Sequence, residues 1–298
     1  MRNFVLLGLV CVWACGAGGG TTSPDAPPNG NTCVPGSPFN LDGRMGVEGT
    51  LNVHINASGI VDTEATADLL LLLDVDETGT NLAVQATLCD LQIPAVPVLG
   101  QPMPIRFVLD PTVLDSVGQV TAMGTLGGTT TCSTLTSQPV TLLIGAKLSP
   151  ITAPLIAADS QGNFAKCTPE PCAQALTTNC ACDQEGDGHP GVSLSAQNVP
   201  LVPLTQIYVD VRTTFSLSGQ VYSSDSVKGE IADTLEVGIL GCSKSTGPCT
   251  NGDVNLVQTL NPTITQSRIE PSTFRAVRVS STLTCAQLRA MRDTLFPR

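Results

Sequence analysis

The sequence of 298 residues predicts a mostly β protein, an antiparallel sandwich or barrel with two related β lobes and a short C-terminal helix. Three observations predict this fold. Short runs of alternating apolar and polar residues recur along the chain, separated by turns rich in Gly, Asn and Asp. Hydrophobic residues make up 42% of the chain and charged residues only 13%, so a core forms without the Lys and Glu that cover long surface helices. Two pairs of cysteines also share one spacing.

The N-terminal segment, residues 1–14, has the layout of an export signal. Arg2 precedes an uncharged apolar run that is shorter than the ~20 residues of a membrane-spanning helix. The sequence Val12-Trp13-Ala14-Cys15 resembles the lipobox of bacterial lipoproteins, in which the cysteine is acylated and becomes the mature N-terminus. The resemblance implies a lipid anchor with palmitate at Cys15 and, because Gly16 follows, an outer-membrane location. The alternative is an ordinary cleaved signal in which Cys15 has no role.

This resemblance places the protein in the cell envelope, facing the periplasm or the cell surface. Residues 15–39, rich in Gly, Pro, Ser and Thr, are expected to form a flexible tether. The net charge of -11 argues against nucleic-acid binding, which depends on basic side chains at phosphates. The expected partners are therefore the membrane, reached through the lipid anchor, and a hydrophobic ligand or an envelope protein.

The first lobe, residues 40–150, is predicted from five strand-like segments. Alternation in GVEGTLNVHI predicts a half-buried strand with His54 facing solvent. The unbroken apolar run in ADLLLLLDV predicts a strand buried on both faces. NLAVQATLC, GQVTAMGTL and PVTLLIGAKL are further strands, and the prolines between residues 94 and 111 limit that part to short edge pieces.

The second lobe, residues 200–298, begins with the clearest alternation in the chain, TQIYVDVRTTFSLSGQV. Four further strands are predicted at 227–231, 235–240, 254–260 and 274–279. At the C-terminus, Leu288, Met291 and Leu295 recur at helical spacing after Thr284, a residue suited to an N-cap, which predicts a short helix that Pro297 ends.

Ten cysteines remain in an exported chain after Cys11 and Cys15 are set aside. An even number in an oxidising compartment predicts up to five disulfides. The candidates are Cys33, Cys89, Cys132, Cys167, Cys172, Cys180, Cys182, Cys242, Cys249 and Cys285.

An internal repeat would pair four of these cysteines symmetrically. Cys89 and Cys132 are separated by the same 43 residues as Cys242 and Cys285, and the pattern T-x-T-C-x-x-L surrounds the second cysteine of each pair. The repeat predicts the disulfides Cys89–Cys132 and Cys242–Cys285, with the local pair Cys242–Cys249 as the competitor. The alternative is chance similarity in a Thr-rich sequence.

The cysteine-rich connecting region, residues 151–199, contains four further cysteines at 167, 172, 180 and 182. Their spacings differ from the paired CxxC of most zinc sites, so disulfides are favoured over zinc. Asp183-Gln184-Glu185-Gly186-Asp187-Gly188 resembles the start of an EF-hand calcium loop, which makes Asp183, Glu185 and Asp187 candidate calcium ligands and calcium the one candidate cofactor. Leu194 occupies the position of the bidentate Glu, so a solvated acidic turn is the alternative. His189 is expected to be a loop residue.

Catalytic residues are not assigned, because the sequence contains no GxSxG, HExxH, P-loop or GxGxxG motif at a suitable junction. The sequence therefore favours a non-catalytic, envelope-anchored binding or structural module. A cavity lined by residues 69–73 and by alternating residues of 207–217 would indicate a hydrophobic ligand, whereas a solid core with an exposed apolar patch would indicate an interaction or adhesion module. The alternative from another class is a secreted hydrolase that uses a pair of carboxylates.

Overall fold

Fifteen strands and three α-helices form the part of the chain that the computed structural model describes, residues 33–57, 61–97, 103–199, 203–259 and 261–297. The strands are β1 Gly43–Ala57, β2 Val61–Thr78, β3 Asn81–Gln92, β4 Arg106–Leu109, β5 Val120–Leu126, β6 Thr134–Ser137, β7 Val140–Ile144, β8 Ala146–Lys147, β9 Cys180–Ala181, β10 Val192–Gln197, β11 Leu204–Ser223, β12 Ser226–Lys244, β13 Gly247–Pro248, β14 Thr263–Gln266 and β15 Ser272–Arg278. The helices are α1 Pro111–Ser116, α2 Asn251–Thr259 and α3 Cys285–Leu295, with a 3-10 turn at Cys172–Gln174.

Eight of these strands close into an antiparallel ring. The hydrogen-bonded order among the described residues is β1, β2, β3, β5, β6, β11, β12 and β15, and β15 pairs back with β1. Strands from 40–150 and from 200–298 thus belong to one barrel and do not form two separate sheets. Whether the two segments arose by duplication stays a prediction.

The leucine run of β2 is buried on both sides, as its sequence predicts. Leu71 faces the barrel interior, where it joins a core cluster with Met45 of β1 and Leu82 of β3. Leu70 and Leu72 point outward, where α3 covers them with Leu288 and the residue after the helix, Phe296. An uninterrupted apolar run is therefore required here, because each face of the strand meets a different apolar layer.

The hairpin of β11 and β12 is longer than the barrel is tall. Its barrel half, Thr214–Ser223 with Ser226–Thr234, belongs to the ring. Its upper half, Leu204–Thr213 with Leu235–Lys244, extends beyond the ring and pairs with β10, which in turn pairs with β4. A second core covers one face of the upper half, and its buried members are Val113, Val117, Ile144, Ala158, Val192, Ala196, Leu204, Ile207, Val209, Ile239, Cys242, Val254 and Val257.

Residues 254–259 are helical, and the prediction of a strand at 254–260 was wrong over these residues. Val254 and Val257 are both buried, and their separation of three residues suits a helix face. Thr250 and Asp253 form a reciprocal cap, in which the Asp253 N–H donates to Thr250 Oγ1 (3.3 Å) and the Thr250 N–H donates to Asp253 Oδ2 (2.8 Å). The cap and the spacing outweigh the β propensity of valine.

The C-terminal helix α3 confirms its prediction. Thr284 and Gln287 form a capping box, and Leu288 is fully buried. Met291 is 40% exposed, so the expected apolar stripe is narrower than its sequence spacing suggests. No helix within the described ranges is both long and apolar enough to cross a membrane.

All ten candidate cysteines form disulfides, but the symmetric pairing is wrong. The bonds are Cys33–Cys132, Cys89–Cys285, Cys167–Cys180, Cys172–Cys182 and Cys242–Cys249. Cys89 and Cys285 connect the two predicted lobes because α3 packs on the outer face of the barrel. The competing local pair Cys242–Cys249 is the one that forms.

The signal segment 1–14, Cys15 and the tether up to residue 32 lie outside the described residues. Residues 33–42, which we call the N-terminal strap, are attached to the barrel although 33–39 were assigned to the tether. Phe39 and Leu41 are buried, and the Leu41 N–H donates to Glu77 Oε2 (2.7 Å). Residues 33–39 therefore belong to the folded part of the chain, although their composition predicts a tether.

Candidate functional site

A cavity of about 80 Å³ lies inside the barrel, and its accessible lining is wholly apolar. All eight ring strands, the N-terminal strap and β7 contribute to its wall. The lining residues are Leu41, Met45, Leu71, Leu73, Val75, Leu82, Val84, Ala86, Val120, Ala122, Met123, Gly124, Leu135, Ser137, Val140, Phe215, Leu217, Val227, Phe274 and Ala276. The one polar side chain, Ser137, accepts a hydrogen bond from the Leu217 N–H (2.8 Å).

Only some of the residues that the sequence predicts as lining border the cavity. Leu71 and Leu73 line it, but Leu70 and Leu72 face α3 because side chains alternate along a strand. Phe215 and Leu217 line it from β11, whereas residues 207–211 lie above the barrel, where Ile207 and Val209 belong to the second core.

The contribution of β5 and β7 to the cavity lining was not predicted from the sequence. Val120 and Ala122 alternate with polar or exposed residues along β5, and Val140 begins β7. This alternation was the signal that could have identified the lining, but it does not say which strands share one interior.

The N-terminal strap closes one end of the barrel. Besides its bond to Glu77 near the β2–β3 turn, the strap approaches the β11–β12 turn, where the Asn40 N–H donates to Ser224 Oγ (3.1 Å). The disulfide Cys33–Cys132 fixes the start of the strap. Phe39 and Leu41 therefore seal this end with apolar side chains.

A polar groove of about 500 Å³ lies on the outer surface of the barrel beside α3. Glu48 is its most buried charged residue and is held by two arginines: Arg275 Nη2 bonds to Oε2, and Arg292 Nε bonds to Oε1 at 2.9 Å. Arg292 also pairs with Asp68 through Nη2 (2.8 Å).

This groove contains two carboxylates, which the hydrolase alternative requires. Both oxygens of Glu48 are occupied by arginines, and Asp68 is tied to the same Arg292. Because Arg292 belongs to α3, the network attaches the helix to the barrel. The geometry supports a structural role for this pair and leaves neither Glu48 oxygen free for a substrate.

The acidic loop uses its own carboxylates to fix its backbone. Asp183 is 5% exposed and accepts hydrogen bonds from the N–H groups of Gly186 (2.7 Å), Asp187 (3.2 Å) and Gly188 (2.8 Å). Glu185 Oε1 accepts from the Ser193 N–H (2.6 Å), and burial raises the pKa of its carboxyl.

The candidate calcium ligands do not meet around one point. No group of three or more His, Cys, Asp or Glu side chains in the described part of the chain is arranged to hold a metal. The solvated-turn alternative also fails for Asp183, which is buried and capped by backbone donors. The acidic pattern here stabilises a tight turn next to two disulfides.

The two histidines have different environments. His189 lies in the loop, as expected, and its ring stacks on Tyr208 at a centroid distance of 4.3 Å. The prediction that His54 faces solvent was wrong: it is 6% exposed and lies 3.1 Å from Glu64 and 3.2 Å from Asp62.

The loop after β14 lies against the face of β1 that carries His54. This loop binds Asn52, which shares the His54 face of β1: the Ser267 N–H donates to the Asn52 carbonyl (2.9 Å), and Asn52 Nδ2 donates to the Pro271 carbonyl (2.8 Å). The partners of both imidazoles are carboxyl or phenol groups. The geometry therefore places neither histidine beside a serine or cysteine nucleophile.

The fold and the site together define a closed antiparallel barrel with an apolar interior cavity. No protein-family model matches the chain, and no curated protein matches it by sequence. Its function is inferred from the geometry given above.

Proposed function

We propose that this protein is an envelope lipoprotein, anchored through Cys15, that holds a small hydrophobic ligand inside its barrel and has no catalytic role. The observation that carries the proposal is the apolar cavity. An apolar cavity gives water few hydrogen-bonding partners, so an apolar molecule fills it more favourably than water does.

The cavity volume limits what can enter. About 80 Å³ is roughly half the ~150 Å³ of an engineered core cavity that binds benzene. The bound portion is therefore a few carbon atoms, such as the end of an alkyl chain. Larger groups need the lining to move, and Met45 is the flexible side chain best suited to do so.

The proposed anchor suits this ligand. A lipid-modified Cys15 keeps the barrel beside a membrane, which is a reservoir of apolar molecules. Radioactive palmitate should label the wild-type protein in a bacterial host and should not label Cys15→Ser. Equal labelling of both proteins would contradict the anchor without affecting the cavity.

The cavity is tested by titrating the full mature protein with 1-hexanol while observing the methionine methyl groups by NMR. Met45 lines the cavity, whereas Met103 and Met291 are exposed elsewhere and serve as references. We expect a saturable shift at Met45 and none at the references.

Ala86→Leu supplies the blocking variant, because Ala86 is buried in the lining. Three added carbon atoms should lower hexanol affinity about tenfold or more, since each CH₂ displaced from burial is worth ~0.8 kcal/mol. Ala83→Leu is the matched control on the exposed face of the same strand. Leu71→Ala should act in the opposite direction and favour longer alcohols, which keeps the test valid if Ala86→Leu folds poorly. Equal affinities in all three variants would contradict the proposal.

A further inference from the structure

The barrel wall contains a stretch in which hydrogen bonding between neighbouring strands stops. β5 pairs with β6 only at Gly124–Leu126. Within the described residues, Val120–Met123 pair with β3 on one side and with no strand on the other, apart from a bond from the Gln138 N–H to the Met123 carbonyl (2.8 Å). We call the space between Val120–Met123 and Val140–Ile144 the seam.

The sequence explains why pairing stops at the seam. Pro139 lies between β6 and β7, and proline has no N–H to donate to a neighbouring strand. After this residue, β7 hydrogen-bonds to β11 in the register Val140 to Phe215, while β5 stays with β3. The two strands therefore flank an opening that no ladder closes.

The interior cavity reaches the seam. Val120, Ala122 and Val140 line the cavity from both sides of the opening. Met123 also lines it and yet is 46% exposed to solvent. A residue that borders both the cavity and the solvent marks the place where the two communicate.

The seam is also free of charge. Residues 116–146 contain no Asp, Glu, Lys, Arg or His. On the neighbouring strand, Arg212 is paired in register with Leu143, but its guanidinium is engaged in a two-point ion pair with Glu236, at 3.1 and 2.6 Å. An ionised group entering here would lose water and gain no counter-charge.

We infer that the seam is the entrance to the cavity and that the ligand is an uncharged molecule whose alkyl end enters the barrel while its neutral end stays at the seam. This inference rests on the proposed function, because it names the chemical class and route of the same ligand. It distinguishes alcohols, esters and hydrocarbons from ionised fatty acids.

The ligand class is tested at pH 7 with 1-hexanol and hexanoate, which share one alkyl chain. Wild-type protein should bind 1-hexanol about tenfold or more tightly than hexanoate. Met123→Lys places a cation at the seam and should raise hexanoate affinity a few-fold, whereas Gln220→Lys, exposed on β11, adds the same charge away from the seam and should not. Equal affinity of the wild type for both compounds would overturn the ligand class but leave the proposed function intact.

The entrance is tested by the exchange rate of 1-hexanol, measured from NMR line shapes of Met45. Met123→Trp should slow association and dissociation together, while Thr125→Trp, on the same face of β5 where the wall is closed, should not. Thr121→Trp obstructs the seam from its exposed face and serves if Met123→Trp itself enters the cavity. Unchanged rates in both seam variants would overturn the entrance. Failure of every protein to bind either compound would instead overturn the proposed function.

Discussion

The two halves of the β11–β12 hairpin share one alternating sequence pattern but have different surroundings. In the barrel half, Phe215 and Leu217 face a cavity, and the opposite face is largely polar. In the upper half, Ile207 and Val209 join a filled core, and the opposite face is buried as well, with Tyr208 and Asp210 at 5% and 0% exposure.

A strand's alternation therefore specifies its two faces but not what covers them. The inner face of the barrel half is covered by the other strands of the ring. Its outer face stays accessible. The cysteine-rich segment covers the upper half, where Ala181 packs with Tyr208 and the Ile156 N–H donates to Asp210 Oδ2 (2.8 Å). A polar side chain on that face consequently becomes buried.

Two buried carboxylates, Glu48 and Asp210, differ in how fully they are hydrogen-bonded. Glu48, on the outer face of the barrel, has an arginine on each oxygen. Asp210 Oδ1 faces Gly238 and has no hydrogen-bond partner among the described residues. Gly238 is required there, because a Cβ would overlap both Asp210 Oδ1 and the Ile156 carbonyl. Glu48 is thus neutralised by its two arginines, whereas Asp210 is incompletely bonded.

The largest expected difference between the regions concerns their disulfides. Replacing Cys89 and Cys285 together with Ser should lower the free energy of unfolding by about 4–5 kcal/mol, because this bond closes 196 residues. Replacing Cys172 and Cys182, which are 10 residues apart, should cost about 2–3 kcal/mol on the same chain-entropy model. Urea unfolding of both double variants gives the comparison. Equal losses would mean that the cysteine-rich segment unfolds together with the barrel and is not a locally stabilised cover.

A smaller effect is expected at Glu48. Glu48→Gln removes the charge between Arg275 and Arg292, whose side chains are 28% and 12% exposed. The loss should be about 2–3 kcal/mol, below the ~3–5 kcal/mol of a fully buried pair, because Asp68 still pairs with Arg292. Urea unfolding measures it. Glu230→Gln, exposed on β12, is the control and should change stability by less than about 0.5 kcal/mol. A loss in this control as large as that of Glu48→Gln would contradict a structural role for the network.

The smallest expected effect has the opposite sign and depends on pH. Burial raises the pKa of Asp210 to about 6 from its ordinary value of 3.8. The folded protein therefore binds more protons than the unfolded chain between these values, and this group lowers the free energy of unfolding as pH rises from about 4 to about 6. Asp210→Asn keeps an oxygen for the Ile156 N–H and should stabilise the protein by about 1–2 kcal/mol at pH 8, within the ~3 kcal/mol equivalent to the pKa shift, and by nothing at pH 4.

Unfolding at several pH values checks this prediction. Asp76→Asn, exposed on β2, is the matched control and should show no such gain at pH 8. A loss of stability in Asp210→Asn at pH 8 would mean that the charged carboxylate is favoured in the upper half, which would end the contrast with Glu48.

The sequence predicts those parts of the fold that depend on local pattern. The alternation of β11, the leucine run of β2 and the cap at Thr284 each correspond to an element of the structure. The disulfide partners depend on which distant surfaces meet, so the equal spacing of the cysteines predicted the wrong pairs. His54 was predicted to face solvent, but the loop after β14 lies against its strand face. Val254 was predicted to lie in a strand, but the cap at Thr250 begins a helix there.

The candidate site was predictable only in part. Apolar residues on β2 and β11 were identifiable from the unbroken leucine run of β2 and the long alternation of β11, whereas the seam depends on where Pro139 interrupts one ladder of a closed ring. The alternation of residues along a strand does not show whether the strands close into a ring. Cavity volume, likewise, depends on how residues from many strands fit together and cannot be read from any one segment.

The bond between Cys33 and Cys132 also has a mechanical consequence for a chain tethered through its N-terminus. Cys33 is the first cysteine of the described residues, and its partner lies between β5 and β6, where the Cys132 N–H donates to the Val221 carbonyl (2.8 Å). In the proposed anchored form, a pull on the N-terminus enters the barrel wall through this bond. The bond therefore relieves Phe39 and Leu41, which follow it in sequence and belong to the barrel core, of part of that force.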